Sequence, residues 1–449
     1  MRYIIMSVFL IAQTLCCMAV DVNVKSYGAK GDGIQDDAPY LNLAIEKALL
    51  LGANLFIPSG TYKCETFKSS SKIIRMDQYG IKTIKIYGED GTKLTTAADS
   101  GSLFYVFNKN ADVIIENIFF ENTHAVTLKQ TNAIQLLGTD ENSIENFTIK
   151  NCRFEGFSTA IIAQGVKGFV IQNNVFASPK GHDNAQNSSA PAVYIWLFDN
   201  ANGQCYDVKI LNNSASGYTG NNILETTTQR PMDGFVYGTA YNVQIDNNTT
   251  WDFSEEHIAL APQTTYTTGV FPVSITKNKF HQSIPLGSMK NGLPLISNYG
   301  VRADCNDVTI SNNDFYDYTS GVLVLTYDYP TLKQHNFTVS GNRFYSPTSI
   351  VYHVREAIKI QGSITNSTSN CIISGNTVSI DGIQLKSMRS VITVFNCINV
   401  RIEQNKIRGR NILLNGYSMT GILVKDCAEM LDTNNEIIFE IVDAALPLK

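Results

Sequence analysis

Charge is scarce in this chain. Asp, Glu, Lys and Arg make up 17% of its 449 residues, below the usual quarter or so of a globular domain. Basic residues number 35 against 40 acidic ones, a net charge of −5. Nothing here supplies the clustered Lys and Arg that nucleic-acid binding needs. Past the N-terminus no apolar run reaches the ~18 residues of a membrane span. Tryptophan is rare, with 2 residues, and there are only 6 histidines beside 9 cysteines. The polar surface must instead come from Asn, Ser and Thr.

Asparagine is what the chain has in order. An eight-residue phrase reads YDVKILNN at 206–213, YNVQIDNN at 241–248, NDVTISNN at 306–313 and INVRIEQN at 398–405. Looser copies stand at 167–174, 271–278, 335–342 and 369–376, and weaker ones at 111–118, 145–152 and 428–435. The closing Asn falls at 174, 213, 248, 278, 313, 342, 376 and 405. A period of ~30–40 residues signals a solenoid or propeller. Each unit is a short strand with two apolar residues two apart, which cannot bury its own apolar side. The uneven spacing excludes uniform propeller blades and suits a parallel β-helix, in which loops of any length leave a coil. The closing Asn is expected to take the left-handed turn conformation and to hydrogen-bond along the stack.

The first 20 residues differ. Arg2 precedes an apolar run, Ile4–Leu15, followed by small Ala19. This reads as a secretory signal over 1–19, so the mature chain is expected outside the cytoplasm, secreted or periplasmic. Thr14 and Leu15 fit poorly before a lipidated Cys16, so plain export is expected. Residues 20–449 then form a single β-helix domain, with stacked coils over about 80–440. Of the seven remaining cysteines, Cys205, Cys305, Cys397 and Cys427 share one slot of the phrase. They form either a buried apolar ladder or, for Cys397 and Cys427, a disulfide. No His accompanies that slot, so no metal site is expected.

The mature chain opens DVNVKSYGAKGDGIQDDAPYLNLAIEKALLLGANLFIPSGTY at 21–62. Asp36, Asp37 and Pro39 suit a helix N-terminus, and Leu41, Ala44, Ile45, Ala48 and Leu49 fall on one face. A helix over about 36–50 is expected to cap the open end of the stack. This stretch, with VKSYGAKGDG…DD and FIPSGTY, resembles the N-terminus of the pectate-lyase-like superfamily. The resemblance implies an all-β, single-stranded, right-handed parallel β-helix with an N-terminal capping helix. It speaks to the fold rather than the reaction.

A second strand follows each turn: TAIIA (159–163), PAVYI (191–195), DGFVY (233–237), EHIAL (256–260), YGVRA (299–303), SGVLV (320–324) and EAIKI (356–360). With Phe235, Ile258, Val301, Val322 and Ile358 inward, three outward rows result. The first holds Asp233, Glu256, Tyr299, Ser320 and Glu356. The second holds Tyr194, Val236, Ala259, Arg302, Leu323 and Lys359. The third holds Trp196, Gly238, Ala261, Asp304 and Gln361. Ile223 competes for the slot of Phe235, but that choice turns Glu225 inward at a cost. Insertions at 175–191, 214–233 and 279–299 leave on one side and could wall the rows into a cleft.

PMDGF at 231–235 and EEHIAL at 255–260 resemble paired carboxylate coils of polygalacturonase-type glycosidases. The resemblance implies Asp233, Glu255 and Glu256 as catalytic carboxylates; the outward rows supply Tyr194, Trp196, Tyr299, Arg302 and Lys359 as expected substrate-binding residues. Glu replaces Asp in the pair, and the family's His-Gly coil reads Asn298-Tyr299-Gly300 here. The expected activity is hydrolysis of an acidic, pectin-like polysaccharide by two carboxylates, without cofactor. The alternatives are β-elimination with Arg302, Lys359 and Tyr299, where Ca²⁺ could serve, and non-catalytic carbohydrate binding.

Overall fold

The computed structural model describes residues 21–67, 72–76, 83–107, 111–124, 131–139, 142–177, 192–195, 204–217, 235–238, 241–253, 256–260, 272–282, 299–316, 320–325, 335–346, 356–362, 368–381, 389–412, 414 and 418–441. Three parallel sheets run the length of the molecule, with 14, 14 and 12 strands among these residues. Each coil passes from sheet 1 to sheet 2 to sheet 3, and every strand pairs with its counterpart one coil on. The phrase is the sheet 1 strand. Ile210, Ile245, Ile275, Ile310, Val339, Ile373 and Ile402 are successive register partners, and all are buried. The chain is a parallel β-helix.

Sheet 2 lines the core with a column of rings. Phe120, Phe154 and Phe176 stack at 5.1 and 5.0 Å between centroids. Phe280, Phe315 and Phe344 stack at 4.9 and 4.7 Å. Between the two runs the column holds Ala215 and Thr250. Offset ring stacking adds to area burial.

The turn between sheets 1 and 2 corrects one expectation. The left-handed residue precedes the closing Asn: Asn173, Asn212, Asn247, Lys277, Asn312 and Gln404 have φ of 55–57°, and Gly341 and Gly375 take 64° and 62°. The closing Asn turns inward and is buried. Each donates its amide to the next Asn Oδ1, at 3.1 Å from Asn174 to Asn213 and 2.9 Å from Asn213 to Asn248. Each also reaches back to a carbonyl, as Asn278 Nδ2 does to Ile245 O at 2.9 Å. The ladder continues to Asn435. Two successive turn residues share the work because one side chain cannot both face solvent at positive φ and fill the core.

Helix α1 (Ala38–Leu51) closes the N-terminal end, with Leu41, Ala44, Ile45, Ala48 and Leu49 buried. Asp36 Oδ1 accepts from Ala38 N at 3.2 Å. Asp37 instead accepts from Lys30 N and Gly31 N at 2.8 and 3.0 Å, which fixes the preceding turn. The seven described cysteines are free thiols, six of them buried. The shared slot is therefore an apolar ladder in this structure. Cys427 Sγ sits 3.4 Å from Cys397 N without a disulfide.

Candidate functional site

Sheet 3 carries the outward row. Its register runs Tyr194, Tyr237, Ala259, Arg302, Leu323, Lys359. Parallel strands lie ~4.8 Å apart, so Tyr194 and Arg302 are about 14 Å apart along the axis. The sequence reading placed Val236 in this row and Phe235 inward. Phe235 is buried in the core as read, but Val236 is buried beside it: Val236 pairs with Ile258 and faces the core, and Tyr237 takes the place in the outward row. Phe235 N and Val236 N both donate to His257 O, at 2.9 and 3.1 Å. This shared acceptor absorbs the extra residue. Gly238 is also corrected, since it pairs with the inward Ile195 and Leu260.

This register brings two groups together that the sequence reading kept apart. Tyr237 OH donates to Glu256 Oε2 at 2.8 Å, and Glu256 N donates to the same phenol oxygen at 3.1 Å. Glu256 is 7% exposed and Tyr237 8%. The two bonds tie both the carboxylate and the backbone N–H of Glu256 to one phenol oxygen. Tyr194, one coil back, is half-buried, and burial pushes its phenol pKa up. Arg302 Nε donates to Asp304 Oδ2 at 2.7 Å. Asp304 is 2% exposed, so the arginine is braced from beneath and partly neutralised. Lys359 is half-buried two coils further on.

Asp233, Glu255 and Trp196 lie outside the described residues. Tyr299 belongs to the strand Tyr299–Ala303 and pairs with Ser320, but its side chain also lies outside the description. Tyr237 was missed because Phe235 and Val236 are adjacent and both buried in the core, a break in strict alternation. The usable signal was a matching triplet: Val193-Tyr194-Ile195 aligns with Val236-Tyr237-Gly238.

Among the described residues, no group of three or more His, Cys, Asp or Glu is placed to hold a metal ion. An open groove of about 710 Å³ lies elsewhere, at the corner of sheets 1 and 2, lined by Glu89, Lys93, Phe119, Arg153 and Val175. Its cations are paired internally, Lys93 with Glu121 and Arg153 with Glu155. No helix of the described residues is long and apolar enough to cross a membrane.

Two family models match. Residues 21–69 match the model described as rhamnogalacturonase A/epimerase, pectate lyase-like. Residues 265–446 match the right-handed β-helix region. The superfamily resemblance and the hand of the solenoid stand on these matches. Mannuronan C5-epimerase AlgE2 of Azotobacter vinelandii is 32% identical over 92 residues, 18% of this chain and 9% of that protein. The chain thus matches only a small part of that relative's length. Among solved structures, the Dettilon tailspike protein has a TM-score of 0.57 at 12% identity, over 90% of this chain and 68% of that one. A mutant tailspike of E. coli bacteriophage HK620, in complex with a pentasaccharide, has a TM-score of 0.53 at 12% identity, over 91% and 80%. At such identities the likeness is one of fold.

Proposed function

We propose that this chain is an exported enzyme that cleaves an acidic, pectin-like polysaccharide on the outer face of sheet 3, with Glu256 as a working carboxylate. The observation that carries this reading is the Tyr237–Glu256 hydrogen bond, set in a row with Tyr194 and Arg302. Hydrolysis of a glycoside needs one carboxyl to protonate the leaving oxygen and another to activate water. Glu256, held by Tyr237, is one of these two. Asp233 and Glu255 are the partners that the sequence resemblance supplies. Tyr194 presents a ring for a sugar face, and Arg302 and Lys359 suit uronate carboxylates. The polar N-terminal Arg2 followed by the apolar run to Leu15 supports export.

A second reading is β-elimination, favoured by the same bond. A phenol hydrogen-bonded to a carboxylate can take or return a proton, and Arg302 can neutralise a uronate. The partial match to a protein named as a C5-epimerase of mannuronan supports chemistry at a uronate carbon. The test is a panel of acidic polysaccharides, followed by reducing-end release and by ultraviolet absorbance of unsaturated uronides. Hydrolysis gives reducing ends without absorbance; elimination gives both. Glu256→Gln should lower turnover by about 10²-fold or more, with Tyr237→Phe in the same direction. Binding of the glycans without release of ends would leave a carbohydrate-binding protein instead.

A further inference from the structure

On the core side of the chain, next to Glu256, the column of phenyl rings is interrupted by a polar cluster. Thr250 and His257 are fully buried and Gln282 is 2% exposed. Thr250 Oγ1 lies 2.5 Å from His257 Nδ1, and His257 Nε2 lies 3.3 Å from Gln282 Oε1. The imidazole stands edge-on to Phe253 and Phe280, at 4.9 and 5.9 Å between centroids. A phenylalanine at 257 would continue the apolar column. A histidine must have both nitrogens satisfied out of water, which is costly to arrange.

The connections of His257 show what the arrangement achieves. Thr250 belongs to the sheet 2 strand of the same coil, Thr249–Trp251. Gln282 follows the strand Lys279–His281 of the next coil. The His257 carbonyl holds Phe235 N and Val236 N on the preceding coil, at the place where Tyr237 enters the outward row. One residue therefore ties three coils at the point where Glu256 meets Tyr237.

We infer that His257 is a positioning residue for the Tyr237–Glu256 pair, setting the backbone from which the carboxylate projects. The inference rests on the reading of Glu256 as a working carboxylate. A neutral imidazole has one N–H and one lone pair. With the Nε2–H donating to Gln282 Oε1 and the Thr250 hydroxyl donating to Nδ1, both ring nitrogens are satisfied in one tautomer and one ring orientation. Burial keeps the ring neutral, with its pKa pushed down to about 3.

The test compares His257→Phe, Thr250→Val and His257→Asn with Glu256→Gln, in the full chain on the polysaccharide it turns over. His257→Phe keeps a ring against Phe253 and Phe280 but leaves the buried Thr250 and Gln282 groups without this partner, so a lower thermal midpoint is expected and kcat is compared below it, where the variant is folded. Its kcat should fall about 10–100-fold, the effect of a roughly 1 Å misplacement, with KM within about twofold. Thr250→Val should move kcat in the same direction, and decides the matter if His257→Phe does not fold. His257→Asn, which keeps one donor and one acceptor, should recover part of the loss. Wild-type kcat in Thr250→Val and in folded His257→Phe, with Glu256→Gln inactive, would overturn the inference alone. Wild-type kcat in Glu256→Gln would overturn the site reading and the inference together.

Discussion

Asn278 shows what a single residue contributes to this fold. Its Oδ1 accepts from Asn248 N and Nδ2, both at 2.9 Å. Its amide serves Ile245 O at 2.9 Å and Asn313 Oδ1 at 3.0 Å. All of these groups lie away from water, and orphaning a buried polar group costs about 1–3 kcal/mol. Asn278→Ala should therefore destabilise by about 3 kcal/mol or more. Asn336→Gly, on the exposed row where Asn336 donates to Asp307 at 2.6 Å, should stay within about 0.5 kcal/mol. Urea midpoints of the two variants separate these cases. The sequence showed that the Asn stacks but misplaced its backbone. Positive φ and inward burial belong to neighbouring residues, and the phrase alone does not say which Asn does which.

His257 adds a pH dependence at the same scale. Its ordinary value is 6.5 and burial lowers it to about 3 in the folded chain. Between these values the unfolded chain binds a proton that the folded chain refuses. The stability tied to His257 is fully present above pH ~6.5 and is lost as pH falls towards 3, by at most about 1.4 kcal/mol per unit. His281, also lowered by burial, acts in the same sense, with Asp252 and Asp314 beside it raising its value. The decline should be shallower in His257→Phe, measured by denaturant unfolding at pH 7, 5.5 and 4.

Single strands explain the error in the site. Val236–Gly238 is three residues long, and a one-residue slip reverses every side chain. Elsewhere periodicity decided the faces: Ile258, Val301, Val322 and Ile358 are inward as read. At 235–236 two adjacent apolar residues are both buried, and their backbone N–H groups share the His257 carbonyl, a contact from another coil. Gly238 then has no room. Its φ is 140°, and a Cβ there would meet Ile195 O at 1.9 Å. Gly238→Ala should lower stability by about 2 kcal/mol or more and disturb Tyr237, seen as a lower thermal midpoint. Gly52→Ala also sits at positive φ, 64°, but meets nothing within 4 Å, and should cost about 1 kcal/mol.

The described part of the molecule is a stack of coils with a helix over its N-terminal end. Helix α1 covers the first coil, whereas Met430, Leu431, Ile437 and Ile441 remain exposed on the last described one. This architecture was legible because each coil repeats the same burial problem, so eight weak copies of one phrase add up. The site occurs once, so nothing averages out an error there. Its register aligns Tyr194, Tyr237 and Arg302 along one face, with Glu256 bonded to Tyr237 at its edge, and the proposed chemistry depends on that bond. The most direct measurement is reducing-end release from an acidic polysaccharide by the wild-type chain and by Glu256→Gln, both checked for the same thermal midpoint. A loss of about 10²-fold or more in the variant is predicted; equal rates in the two would contradict a working role for Glu256.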